Sequence, residues 1–189
     1  MNLFDENPVL KALLDRRSIR KFTADPVPRG QLRAVLTAGI YAPRGLGKDA
    51  MRFMVFEHGG HNEPDERSAR EREIFAAKCP HSAAYVRSAP VFIALFMDKE
   101  RTYHPAKDYQ GMGACMENML LAAHALGLGA VWIGELVSGG AEIAAALELD
   151  ARHYELQAGI CLGYPAEQRK RPDYRLEEYL LRDYPESGK

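Results

Sequence analysis

The stretch from Tyr109 to Leu126 is apolar on nearly every side of a helix, with only Gln110, Glu117, Asn118 and His124 as interruptions. A helix that is hydrophobic all round has to be buried all round. A chain of 189 residues can build one sizeable core but can hardly enclose such a helix alone, so a second subunit is expected to cover part of it.

Around this helix the periodicity alternates between helix and strand. Asn7-Pro8 predicts an N-cap followed by proline at the first helical position, and Val9, Leu10, Leu13 and Leu14 give a short docking helix its apolar stripe. Leu32, Val35 and Leu36 predict a second helix over Gln31 to Ile40. Phe53 to Phe56 reads as the first strand, and Pro64 to Lys78 as an exposed helix with a narrow buried edge. Pro90 to Met97 is apolar throughout, which fits a central strand covered on both faces. Ala130 to Ile133 and Leu156 to Leu162 supply two more strands, separated by a small-residue helix over Ala141 to Leu147. The expected class is α+β, one domain over residues 1–189. Its polar tail, 166–189, carries Leu176, Tyr179, Leu180 and Tyr184 as an adhesive side for a partner subunit.

With 25 basic and 26 acidic residues the net charge is −1, so no global field favours nucleic acid or an anionic membrane. No run reaches the roughly 20 apolar residues of a membrane span, and the N-terminus lacks a signal peptide's pattern. Cys79, Cys115 and Cys161 are scattered and odd in number, which suits a reducing cytoplasm better than a disulfide framework.

Anion binding must therefore be local, and Asp15 to Phe22 offers it: four cations and a hydroxyl fall in six consecutive positions. In an extended segment Arg16, Ser18 and Arg20 share one face, and Arg17, Ile19 and Lys21 share the other. Two guanidiniums and a hydroxyl suit a phosphate. A solvated basic run is the competing reading of these residues taken alone.

Other motifs fail. Gly45-Leu46-Gly47-Lys48 lacks the first glycine and the final Ser or Thr of a phosphate loop, with Ala42 and Asp49 there instead. Gly111-Met112-Gly113 and Gly127-Leu128-Gly129 lack the third glycine of a dinucleotide fingerprint. His58 and His61 have no third ligand nearby, so no metal is expected.

Four segments in register survive. They are Arg16 to Phe22, Ala114 to Ala123, Leu126 to Gly134 with its Trp132-Ile133-Gly134-Glu135 strand end, and Gly159 to Glu167 ahead of the cluster Arg169-Lys170-Arg171. This order resembles the FMN-dependent nitroreductase family over most of the chain, from about Val9 to Leu180. The resemblance implies a central mixed or antiparallel sheet flanked by helices, in an intertwined homodimer with exchanged C-terminal tails and two FMN molecules at the interface. It implies that Arg16 and Ser18 hold the FMN phosphate, that Arg17 lies along the ribityl chain and that Arg20 reaches N1 and O2 of the ring. Gly134 and Glu135 correspond to the segment beside N5 and O4, and one or two of Lys170, Arg171 and Arg175 complete the phosphate clamp.

By the same resemblance the activity is a two-electron transfer from NADH or NADPH, through FMN, to a nitroaromatic, quinone or flavin. The protein would supply orientation, a cation near N1 and a backbone donor near N5. One departure stands out: Gly47 and Met51 occupy positions where the family usually has Asn and Trp. It motivates two alternatives, a flavin-binding or sensing module with little turnover and a specialised reductase or dehydrogenase of the same fold.

Overall fold

The computed structural model describes residues 3–47, 49–57 and 66–182. The expectations for Lys48, for His58 and His61, for the start of the Pro64 helix and for Tyr184 fall outside those residues. The chain forms α1 (Leu3–Glu6), α2 (Pro8–Asp15), α3 (Arg29–Ile40), β1 (Met51–Glu57), α4 (Glu66–Ala77), α5 (Ala83–Ser88) and β2 (Val91–Asp98). It continues through α6 (Pro105–Ala125), β3 (Gly129–Ile133), α7 (Gly140–Ala146) and β4 (Tyr154–Gly163). Short 3₁₀ turns occupy Gly45–Gly47, Lys99–Arg101, Gly134–Gly139 and Leu176–Tyr179.

The predicted cap is present: Asn7 Oδ1 accepts from the N–H groups of Val9 and Leu10 at 2.9 and 3.2 Å, satisfying two of the donors that a helix start leaves free. The four strands form one sheet in the order β1-β2-β4-β3, every neighbouring pair antiparallel. Because β4 lies between β2 and β3, the long helix α6 crosses over one face to carry the chain to the far edge.

Strand β2 is buried at all eight positions: seven are the apolar run Val91–Met97, and the eighth, Asp98, pairs with Arg52 at 2.8 Å. Alternation sends Val91, Ile93, Leu95 and Met97 to the face covered by α3 and α6, and Phe92, Ala94 and Phe96 to the face covered by α4, α5 and α7. On the second face Phe75 meets Phe92 and Phe56 edge to ring, with centroids 5.0 and 5.6 Å apart. Gly159 of β4 is needed there, since a Cβ would stand 2.6 Å from the Phe92 ring and 2.9 Å from Leu136.

Helix α6 begins at Pro105, one turn before the predicted start, because the Asp108 carboxylate accepts from the N–H groups of Tyr103 and His104 at 2.8 and 2.7 Å. Within one chain the helix is covered on one side only. Met112, Cys115, Met116, Met119, Leu120 and Ala123 are buried, whereas Gly113, Glu117 and Leu121 are half-buried and Gln110 is exposed. Tyr109, read from sequence as an apolar neighbour of the core, is instead exposed and donates its hydroxyl to Glu155 at 2.9 Å.

Two features escaped the periodicity. Helix α5 is too short for a clear apolar stripe. Arg72 on α4 is only 5% exposed and donates to the carbonyls of Val86, at 2.6 Å, and Ala89, closing the C-terminal end of α5 from inside the core. No helix among the described residues is long and apolar enough to cross a membrane.

Candidate functional site

The basic segment leaves α2 at Arg16, whose N–H still bonds the Ala12 carbonyl, and then runs extended along the free edge of β3. Ser18 pairs in parallel with Ala130, and the Ile19 N–H donates to the Ala130 carbonyl at 3.0 Å. Beyond it, Thr23 donates to Tyr164 and Ala166 to Lys21, each at 2.9 Å, stitching the segment to the chain that follows β4. Ile19 is buried against Gly129, where a Cβ would stand 2.8 Å from its side chain. Burial of Ile19 turns its neighbours outward.

The outward side chains line a cleft of about 630 Å³, in which Arg16, Arg17, Ser18 and Arg20 meet Arg169, Lys170 and Arg171 of the tail. Strict alternation would have put Arg17 on the opposite face from the other three. Arg16 is still the cap of α2 rather than the first strand residue, so the extended geometry starts later, and Arg17 joins the same cleft. Its guanidinium is occupied by backbone, donating to the carbonyls of Leu14 at 2.7 Å, Lys170 at 3.1 Å and Arg16. Arg17 therefore braces the cleft and splices the tail onto the N-terminal segment.

Arg16 Nε lies 3.3 Å from Glu117 Oε1 of α6 yet lacks the alignment of a hydrogen bond, and this buried N–H has no partner. Arg20 is exposed, with one guanidinium nitrogen 3.4 Å from the Ser18 carbonyl. Lys11 holds the Asp15 carboxyl below its usual range, and Arg171 is near enough to help. Arg175 stands apart from the cleft, 4.0 Å from Glu177. Lys21 is also absent from the lining, and Phe22 packs against the core on the sheet face covered by α4, α5 and α7.

Glu167 is a site residue that sequence reasoning quoted only as part of a motif. Its carboxylate accepts the Arg20 N–H at 2.6 Å and pairs with Arg169 at 3.0 Å. The bond from the Arg20 N–H, with further help from Arg169, holds the Glu167 carboxyl below the usual range. Behind the segment, Asp15, Leu120 and His124 line a second cleft of about 370 Å³. Burial there pushes the His124 pKa down.

At the other end of β3, Gly134 and Glu135 open the 3₁₀ turn. Four strand rises of about 3.3 Å place Gly134 roughly 13 Å from Ala130. Between these ends Trp132 is 40% exposed, and methyl groups placed on Gly113 and Gly134 would each stand 3.8 Å from its indole. Glu135 turns its carboxylate away from the cleft, taking the His81 N–H at 3.2 Å. The three cysteines are buried and free. Burial raises the Cys79 and Cys115 thiols to about 11 and 12, and Cys161 higher still, so none is a nucleophile. Among the described residues no cluster suited to a metal ion occurs.

Comparison with known proteins gives the family of the fold. The sequence model of the nitroreductase family matches residues 13–164. A protein of Methanothermobacter thermautotrophicus described as an NADH dehydrogenase/NAD(P)H nitroreductase is 33% identical, covering 84% of this chain and 78% of its own length. A Desulfovibrio desulfuricans structure described as a nitroreductase in complex with FMN is 40% identical, with a TM-score of 0.85 over 95% of this chain and 99% of that one. The NADPH:FMN oxidoreductase of Vibrio harveyi, solved with NAD+, is 26% identical, with a TM-score of 0.77 over 96% of this chain and 80% of that one. This chain belongs to the nitroreductase family.

Proposed function

We propose that this chain is an FMN-dependent oxidoreductase that passes two electrons from NADH or NADPH to a small acceptor such as a nitroaromatic, a quinone or a flavin. It works as a homodimer in the cytoplasm. The observation that carries this reading is the excess of positive charge at the cleft: six cations, Arg16, Arg17, Arg20, Arg169, Lys170 and Arg171, line it, against the nearby carboxylates of Glu117, Glu167 and Asp15. Like charges gathered at one place call for an anion, and a phosphate ester supplies it with oxygens enough for several donors.

The residues fit FMN on their own chemistry. The unpartnered Arg16 N–H and the Ser18 hydroxyl suit the phosphate, joined by Lys170 and Arg171 rather than by Arg175, which does not line the cleft. Arg17 lies beside them along the ribityl path, and Arg20 supplies a cation for N1 and O2 of the ring. Gly134, one strand length away, offers a backbone donor that no Cβ obstructs, and the backbone of Glu135 continues that edge. When bound, FMN supplies the electron chemistry, accepting two electrons from the nicotinamide and yielding them to the acceptor. With FMN in the cleft, Arg20 would supply the cation and Gly134 the backbone dipole toward the atoms where charge develops.

Dimerisation is supported by what one chain leaves bare. These surfaces are the half-buried stripe of α6 and the apolar side of the tail, with Tyr174 at 73%, Leu176 at 65% and Leu181 at 102% exposure. A tail wrapping a partner would cover both. The relatives named above are all described as reductases, dehydrogenases or oxidoreductases, which supports turnover over a binding-only role.

The test is a spectrum and a titration. The purified protein is expected to be yellow, to lose that colour with NADH or NADPH in the absence of an acceptor, and to quench emission from its one tryptophan, Trp132, as FMN binds. A colourless preparation that stays colourless with added FMN overturns the reading.

A further inference from the structure

We infer that Glu135 is a positioning residue for the Gly134 donor, its carboxylate anchoring the turn to the α4–α5 connection rather than touching the cofactor. The role at Gly134 rests on the FMN reading above; the anchor itself does not. Gly134 is exposed and has no side chain to pack, so its peptide orientation is set by its neighbours. On one side Ile133 is held in the sheet against Gly159. On the other, Glu135 reaches across 54 residues of chain to accept the His81 N–H at 3.2 Å. The second carboxylate oxygen of Glu135 is buried with no partner.

Further contacts tie the same two segments. Lys78 Cβ stands 3.2 Å from where a side chain on Gly139 would begin, and the Lys78 ammonium pairs with Glu142 in the first turn of α7. Within the turn, the Ser138 hydroxyl donates to the Glu135 carbonyl at 3.0 Å, and Leu136 is fully buried. Residues 78–81 thus form a shelf beneath the turn, and the Glu135 bond is the shelf contact next to Gly134.

The acceptor is a carboxylate and the donor a neutral amide, so the bond and the charge can be separated by substitution. If the bond is what matters, an amide oxygen of the same reach will replace it. If the charge matters, the amide will not.

The experiment compares Glu135→Gln, Glu135→Asp and Glu135→Ala. Aspartate keeps the charge and loses the reach. Amide hydrogen exchange across 133–140, on the protein as purified without added FMN, is expected to be about tenfold faster in E135A and E135D and within about twofold of wild type in E135Q. In the FMN-loaded protein, E135A and E135D are expected to slow flavin bleaching by NADH about tenfold with little change in FMN affinity, and E135Q to recover most of the rate. Unchanged exchange in E135A and E135D, or an E135Q as slow as E135A, overturns the inference. If wild type takes up no FMN, the oxidoreductase reading fails, while the exchange measurement still decides whether the anchor exists.

Discussion

Arg17 Nε donates to the Lys170 carbonyl at 3.1 Å, joining residues that lie 153 positions apart in the chain. The bond brings the tail cations back to the N-terminal segment, so a guanidinium that never needs to touch phosphate still decides where Lys170 and Arg171 stand. Arg17→Ala is expected to weaken FMN binding about tenfold, the equivalent of one or two backbone bonds, as read by quenching of Trp132. Arg17→Lys should recover only part of this, since the three carbonyls are met by three separate nitrogens of a planar guanidinium and a single ammonium nitrogen cannot span them. An R17A variant with wild-type affinity would separate the tail from the site.

Arg16 and Ser18 are assigned to the phosphate, and that assignment is read by a ligand without one. Arg16→Ala should cost about 1.5–3 kcal/mol in FMN affinity, the range for a charge-assisted bond, and Ser18→Ala about 1 kcal/mol. Neither should change riboflavin affinity. Equal losses for both ligands would move these residues away from the phosphate.

Glu167 links the cleft to pH. Its carboxyl is held below the ordinary value of 4.5, chiefly by the Arg20 N–H. The stabilisation is therefore fully present above the unfolded-state value and is lost as pH falls through the lowered folded-state one. Several other carboxylates, Glu73 and Asp150 among them, are also lowered, so the informative quantity is a difference. Between about pH 5 and 3, Glu167→Gln is expected to lose less stability and less FMN affinity than wild type. Parallel curves for the two proteins would show that the carboxylate is not titrating against the segment.

Arg72→Ala should destabilise the fold by about 2–5 kcal/mol in chemical denaturation, since it leaves two buried carbonyls unpaired and a void beside the Phe75 cluster. Arg72→Met, which fills the space and loses only the bonds, should fall between. Flavin affinity measured well below the denaturation midpoint should be unchanged in both, because Arg72 lies on the face of the sheet opposite α6.

Long apolar runs were legible because burial on both faces leaves a composition that no other position tolerates: β2 and α6 could be read as central without any neighbour in view. The positions of the four strands along the chain, the capped start of α2 and the basic segment were legible for similar local reasons, whereas the sheet order β1-β2-β4-β3 was not. Helix α5 and Arg72 were not, since a six-residue helix carries no period and a lone arginine among the charges of α4 looks solvated until its carbonyl partners are known.

For the site itself, the sequence by itself determined which residue types were available, a dense run of cations with a serine near one end of the chain and a second run near the other. Their convergence was decided only by tertiary structure. The segment pairs with Ala130 and bonds Tyr164 because Ile19 is buried against Gly129, and that burial, not alternation from Arg16 onward, sets which side chains face the cleft. Glu135 turns toward His81 for the same kind of reason. Spacing along a chain reports which groups could share a face, but whether they meet, and which are spent on backbone, depends on partners far away in sequence.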